Sequence, residues 1–224
     1  MFCRKSVKMI ISNMTGTIIN DNGVNYKTLF NTIHPINKNI KENDLNQFYG
    51  YDKIQVMKYF INLSEISNKK DTLKEVNETF KKNLLNEYKT NKDIRLIDPK
   101  IHLYFENLRN RGIRVCLNTE YDIEIKNFLI NHFELQWYIT DSISSQEVKK
   151  GKPKPDMINK LIEKYNIDDS QKVIKIGDSI NDILEGKNAK CKTVGVLSGI
   201  DTRFILKLGK PDLILNNITQ LKIL

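Results

Sequence analysis

The stretch Val7-Lys8-Met9-Ile10-Ile11-Ser12 passes directly into Asn13-Met14-Thr15-Gly16-Thr17. A short apolar run bounded by a small polar turn reads as a buried strand. Gly16 lets the backbone of that turn come close to another group. In open α/β sheets, ligands gather beyond the carboxyl ends of the strands, so residues 13–17 are where the sequence predicts a site.

Past this loop, Ile18 to Gly23 is a turn-rich exit. Three or four amphipathic stretches follow, among them Val24 to His34, Asp52 to Leu63 and Thr72 to Tyr88. The last carries Leu73, Val76, Phe80, Leu84 and Tyr88 as a stripe of helical period. No convincing strand pattern appears between that loop and residue 95. From there the pattern alternates. Helices are expected over Pro99 to Arg111, Asp122 to His132, Pro155 to Tyr165, Ile180 to Ala189 and Thr202 to Leu208. Strands are expected over Ile113 to Asn118, Trp137 to Thr140, Lys172 to Gly177, Thr193 to Leu197 and Leu213 to Leu215. Such alternation predicts an α/β fold, a parallel sheet with helices on both faces. The expected division is a Rossmann-like core from 1–19 and 96–224 with an all-helical insert over 20–95.

The chain of 224 residues is long enough for a core and a smaller insert. Hydrophobic content of 40% with 28% charged residues reads as soluble and globular. No apolar stretch has the length of a membrane span, and the start at Met1 to Lys5 leads into a run too short for a secretory signal. Cys3, Cys116 and Cys191 are a sparse, odd set that reads as reduced thiols in a cytoplasmic protein. The formal charge of +9 comes from scattered lysines without a dense basic block. It reads as a solvated surface that attracts anionic substrates, with nucleic acid as a minority reading.

Four short patterns carry chemistry. They are the Asn13 to Thr17 loop, Thr119 at a strand end, Lys152-Pro153-Lys154-Pro155-Asp156, and Gly177-Asp178-Ser179-Ile180-Asn181-Asp182. Each has a plain structural alternative. Asp178 and Asp182 also suit a helix N-terminus, where acids complement the dipole. Thr119 also suits a helix N-cap. Lys152 also reads as a surface lysine of the basic loop 149–152, and Pro153 and Pro155 as loop markers.

Taken together and in this order, the patterns resemble motifs I to IV of the haloacid dehalogenase (HAD) superfamily. The resemblance spans essentially the whole chain, with residues 20–95 as a C1-type helical cap. It implies a Mg²⁺-dependent hydrolase of phosphorylated compounds. Thr119, Lys152, Gly16 and Thr17 would hold the phosphoryl group. Asn13, the Thr15 backbone, Asp178 and Asp182 would hold the metal. Such a site works because cations neutralise a dianion that otherwise repels its attacker, while oxygen ligands suit Mg²⁺. Gly50-Tyr51-Asp52-Lys53 and Asp21 to Tyr26 resemble the phosphonatase-like branch. There a cap lysine, here Lys53, forms an imine with an aldehyde or closes the cap over an anion.

Motif I departs from the family pattern at two letters. Asn13 stands at the position of the nucleophilic Asp, and Thr15 at the position of the general acid or base. An amide carries no negative charge and is a poor nucleophile. Phosphonatase-like members commonly have Ala at the second position, so Thr15 departs less than Asn13 does. Glu120 stands where many relatives have a small residue. The expectation is a phosphonatase-like hydrolase of a small phosphorylated or phosphonate compound, with weak or absent turnover. The rival is a non-catalytic pseudoenzyme that binds such a ligand or a protein partner. Asn13 itself reads as natural drift, as an amide built in to trap a ligand, or as a sign of altered chemistry. The resemblance also admits a homodimer paired through the caps.

Overall fold

The structure, a computed structural model, describes residues 7–223. Cys3 and the expected absence of a signal at the chain start lie outside the described residues. Strand β1 (Met9–Asn13) is the centre of a six-stranded parallel sheet ordered β5-β4-β1-β6-β7-β8. Its neighbours are β4 (Arg114–Thr119) on one side and β6 (Val173–Gly177) on the other. Beyond them lie β5 (Asp141–Ser144), β7 (Lys192–Val196) and β8 (Leu213–Leu215). The chain crosses from β1 to both sides of the sheet, so the loops after β1, β4 and β6 diverge around one crevice.

Alternation along β1 explains the two packed faces. Ile10, with Val115, Leu117, Ile174 and Ile176, joins one apolar cluster. Met9 and Ile11, with Cys116 and Val173, join a second, which is closed by Met157, Ile158 and Leu161 of α6 (Asp156–Lys164). The same parity carries Asn13, Asn118, Lys175 and Gly177 onto the second face above its apolar half. There α7 (Ile180–Asn188) turns Asp182 and Glu185 inward. Helices α4 (Ile101–Asn110), α5 (Ile123–His132) and α8 (Arg203–Leu208) complete the layers.

Between β1 and α4 the chain forms a short antiparallel pair, β2 (Ile19–Asn20) with β3 (Arg95–Leu96). It then carries three helices, α1 (Val24–Ile33), α2 (Lys53–Asn62) and α3 (Lys69–Thr90). A 3₁₀ stretch, Glu42–Phe48, precedes the Gly50 turn. Two expectations are corrected. Trp137 to Thr140 is not a strand: Leu135–Trp137 is a 3₁₀ turn with Trp137 exposed, and the strand begins at Asp141. The polar composition Asp141-Ser142-Ile143-Ser144 hid it, because Ser144 is buried through hydrogen bonds rather than apolar packing. The β2–β3 pair was missed because two residues are too few for a periodicity.

The motif I loop depends on Gly16, whose φ is 82°. A methyl group built there would overlap the Asp178 carboxylate. Gly16→Ala should therefore lower the urea midpoint, at a cost of about 1–2 kcal/mol from the left-handed backbone alone. An unchanged midpoint would show that the loop tolerates both the conformation and the displaced acid.

Candidate active site

The loops beyond β1, β4 and β6 line a cavity of about 440 Å³, roofed by residues of the helical insert. Asn13, Thr15, Gly16, Thr119, Lys152, Asp178, Asp182 and Lys53 all reach its wall. Thr17 does not. It is buried, and its hydroxyl donates to Asp178 Oδ1 at 2.8 Å, so it positions that acid from behind the cavity.

Asn13 makes three side-chain hydrogen bonds. Its Nδ2 donates to the Thr15 carbonyl at 2.9 Å and to Asp178 Oδ1 at 2.8 Å. Its Oδ1 accepts from Lys152 Nζ at 3.0 Å. Two acceptors on one side and an ammonium on the other leave a single sensible amide orientation. Asp178 also accepts from the Ile200 N–H through Oδ2 at 3.1 Å. Burial and then the neighbouring Asp182 push its pKa up to about 6 against these hydrogen bonds.

Behind Asn13 lies a buried ion cluster. Asp182 Oδ1 sits 2.8 Å from both Lys152 Nζ and Lys175 Nζ. Lys175 also meets Glu185 at 3.3 Å and donates to Asn118 Oδ1 at 2.6 Å, while Asn118 Nδ2 donates to both Glu185 oxygens. Burial opposes charge on Asp182, but the two lysines hold its pKa well below the ordinary carboxylate range. Burial likewise opposes charge on Lys152, yet Asp182, Glu185 and Glu120 raise its pKa. Lys175, Glu185 and Asn118 were not singled out from the sequence. The signal was there: a lysine and an asparagine at inward positions of otherwise apolar strands.

The structural alternatives resolve residue by residue. Lys152 is buried rather than a surface lysine. Asp182 also closes a capping box with Ser179, accepting from the Ser179 N–H, so its helix-terminus role is real as well. The N-cap of α5 is Asp122, not Thr119, whose Oγ1 instead accepts from the Tyr121 N–H.

The insert contributes Lys53, buried, with Nζ donating to Tyr26 Oη at 3.2 Å and the Tyr51 carbonyl at 3.0 Å. Burial brings its pKa down to about 8, against the pull of Glu120 and Asp52. A chain of hydroxyls links insert and core. Tyr88 donates to Asp21, and Tyr88 meets Tyr121 at 2.7 Å. Tyr121 in turn meets Thr15 Oγ1 at 3.2 Å. With Asp21 ionised, each hydroxyl has one proton to give, so Thr15 donates to Tyr121 and has none left for a leaving group.

The residues do not fit a divalent cation as they stand. The Thr15 carbonyl and Asp178 Oδ1, two of the oxygens expected to hold it, are both taken by the Asn13 amide. Asp182 is committed to two ammonium groups. Turning the amide to offer Oδ1 would point its N–H donors at the Lys152 ammonium. Among the described residues, no three His, Cys, Asp or Glu side chains are grouped to hold a metal.

Fold and site together define a Rossmann-like α/β scaffold with a helical insert over the carboxyl ends of its central strands, whose first loop carries an amide. A family model described as haloacid dehalogenase-like hydrolase matches residues 10–196, and the chain belongs to that family. The chain is 29% identical over 161 residues to a phosphonoacetaldehyde hydrolase of Parabacteroides distasonis, covering 67% of this chain and 60% of that protein. It is 26% identical over 123 residues to a phosphoglycolate phosphatase of Vibrio parahaemolyticus, covering 55% and 54%. The matches thus span less than two thirds of these relatives' lengths. A phosphonoacetaldehyde hydrolase-like protein from Oleispira antarctica shares the fold, with a TM-score of 0.83 at 18% identity over 99% of this chain and 92% of that one.

Glu120 offers a pH test of this site. Its Oε1 accepts from the Lys152 N–H at 2.7 Å, while Oε2 is enclosed without a partner against Gly151. Burial raises its pKa from 4.5 to about 7, although Lys152 lowers it. The folded state therefore binds the extra proton between these values, and stability falls as pH rises through them. Denaturant melts should show the native chain losing up to about 3 kcal/mol across this window relative to Glu120→Gln. Parallel curves would show that Glu120 is not held protonated.

Proposed function

We propose that this chain binds a small phosphorylated or phosphonate compound in the cavity between core and helical cap, and that it turns such a compound over weakly or not at all. The observation that carries this reading is the Asn13 amide, seated where the family has its nucleophile and fully engaged by Lys152, Asp178 and Thr15. An amide nitrogen with its lone pair delocalised cannot attack phosphorus. Losing an essential nucleophile removes most of the rate and leaves what binding and electrostatics supply.

The proposed roles follow from position. Lys152 and Thr119 face the phosphoryl group, Gly16 lets the loop backbone approach it, and Lys53 closes the cap onto the anion. The 20–95 segment acts as that cap, joined to the core through the β2–β3 pair and packed on motif IV. There Asn181 Nδ2 donates to the Tyr49 carbonyl at 2.9 Å, and a side chain at Gly50 would overlap Ser179. Mg²⁺, when bound to a family member with an acidic motif I, supplies charge neutralisation; this chain's own donors are otherwise committed. A cytoplasmic setting belongs to the same reading, supported by free, buried Cys116 and Cys191. Among the described residues, no helix is long and apolar enough to cross a membrane. Pairing through the caps is also proposed, supported by exposed Ile54, Tyr59 and Leu63 on and beside α2.

The second reading, a pseudoenzyme that only binds, is favoured by Thr15, whose hydroxyl proton is spent on Tyr121 when Asp21 is ionised. Side-by-side assays of the native chain and Asn13→Asp, with small phosphate esters, phosphonoacetaldehyde and Mg²⁺, separate the two. The hydrolase reading expects Asn13→Asp to exceed the native chain by about a thousandfold or more on its best substrate. Comparable native turnover overturns the role given to Asn13, and silence of both favours the binding protein. Borohydride added with phosphonoacetaldehyde tests Lys53. A stable adduct on that residue, growing as pH approaches 8, supports the phosphonate branch. No adduct, together with phosphate-ester hydrolysis by Asn13→Asp, supports the phosphate branch.

A further inference from the structure

We infer that the Asn13 amide takes the place of the divalent cation, so that this chain's pocket works without one. The groups expected to hold a cation here are Asp178, after β6, and the Thr15 carbonyl of the motif I loop. In this chain a donor already bridges that pair: Asn13 Nδ2 lies 2.8 Å from Asp178 Oδ1 and 2.9 Å from the Thr15 carbonyl. Two N–H groups thus satisfy the two acceptors that would otherwise need a positive ion.

Three further observations lock the amide there. Asp178 Oδ1 is shared with the Thr17 hydroxyl at 2.8 Å, so its lone pairs are already used. Asp178 Oδ2 accepts from the Ile200 N–H, and the backbones of Gly16 and Gly199 press so closely on this carboxylate that a methyl at either would overlap it. Lys152 Nζ donates to Asn13 Oδ1, so an amide flip that offers oxygen to an ion sets donors against an ammonium. The other acid, Asp182, has both Lys152 and Lys175 against one oxygen and the Ser179 hydroxyl at 2.7 Å on the other. An ion entering this place must displace the amide and compete with two lysines, while Mg²⁺ gives up its own water reluctantly.

The inference concerns this chain's residues and does not need turnover to be tested. Thermal melts with millimolar Mg²⁺, and electron paramagnetic resonance of aqueous Mn²⁺, are run on the native chain and Asn13→Asp. The native chain is expected to keep its melting midpoint and leave the Mn²⁺ signal at full amplitude. Asn13→Asp is expected to melt higher with Mg²⁺ and to quench the Mn²⁺ signal. Equal metal binding by both proteins overturns the inference, and so does an Asn13→Asp protein as indifferent to metal as the native chain. Should Asn13→Asp fail to fold, nuclear magnetic resonance of the native chain decides alone. Mn²⁺ broadening of the amide signals at residues 13–15 and 178 would overturn the inference, and their persistence would support it.

Only the anion part rests on the proposed function. Inorganic phosphate titrated calorimetrically into the native chain should bind equally in chelator and in Mg²⁺, whereas its affinity for Asn13→Asp should rise with Mg²⁺ by about tenfold or more. Absence of phosphate binding to both proteins would fail the proposed function while leaving the metal measurements to decide the inference.

Discussion

The site is built outward from one buried interaction, the Asp182 carboxylate held between the ammonium groups of Lys152 and Lys175. Two lysines in an interior are costly unless each finds opposite charge. Here Asp182 and Glu185 balance them, and Asn118 fills the remaining donor and acceptor positions. Removing one member of such a cluster leaves a buried charge uncompensated, a cost of about 3–5 kcal/mol. The cluster therefore ties β4, β6, α7 and the Lys152 loop into one unit. It also fixes Lys152 Nζ, which fixes the Asn13 amide, which fixes which oxygen of Asp178 is engaged. The state of the reactive loop follows from ion pairing one layer beneath it.

The sheet was readable from the sequence because its strands are short β-branched runs separated by helices of good period. The order of the four motifs then placed the site at the carboxyl ends of β1, β4 and β6. What escaped reading had a common physical cause. Strand β5 buries a single apolar side chain, Ile143, beside a Ser144 held by hydrogen bonds, so hydropathy passed over it. The β2–β3 pair is too short to show a period. Lys175 and Asn118 lie within otherwise apolar strands, and their parity with Ile11 and Asn13 sets them on one face. Thr17 belonged to the legible loop, yet its side chain turns behind the cavity to Asp178, which no spacing rule conveys.

The cavity wall shows how its own residues manage buried charge. Asp21, Glu120 and Asp178 all have raised pKa values, with burial the first cause in each. Hydrogen bonds from the Gly23 and Asn25 N–H groups and the Tyr88 hydroxyl to Asp21, and from Asn13, Thr17 and Ile200 to Asp178, work against that burial. Lys53 is shifted downward by the same burial, and its ammonium lies 4.4 Å from the Tyr26 ring centroid. The ring face and the Tyr51 carbonyl hold it in the roof of the cavity, where its charge is weakly solvated.

The two departures in motif I belong together. An Asp at position 13 would bring another negative charge beside Asp178 and would need a cation to offset it; an Asn replaces that repulsion with a hydrogen bond. An acid at position 15 would face Tyr121 at the end of a hydroxyl chain that already terminates on the buried Asp21; a threonine ends the chain with a neutral donor. With Asn13, Thr15 and Thr17 in place, the loop's polar side chains find partners inside the protein rather than on a substrate or a metal. Catalytic loops commonly keep groups unsatisfied and strained because reactivity requires it, at a cost in stability. In this loop Asn13, Thr15 and Thr17 each find a partner inside the protein, so the internal pairing and the weak turnover proposed above share one cause, the amide at position 13.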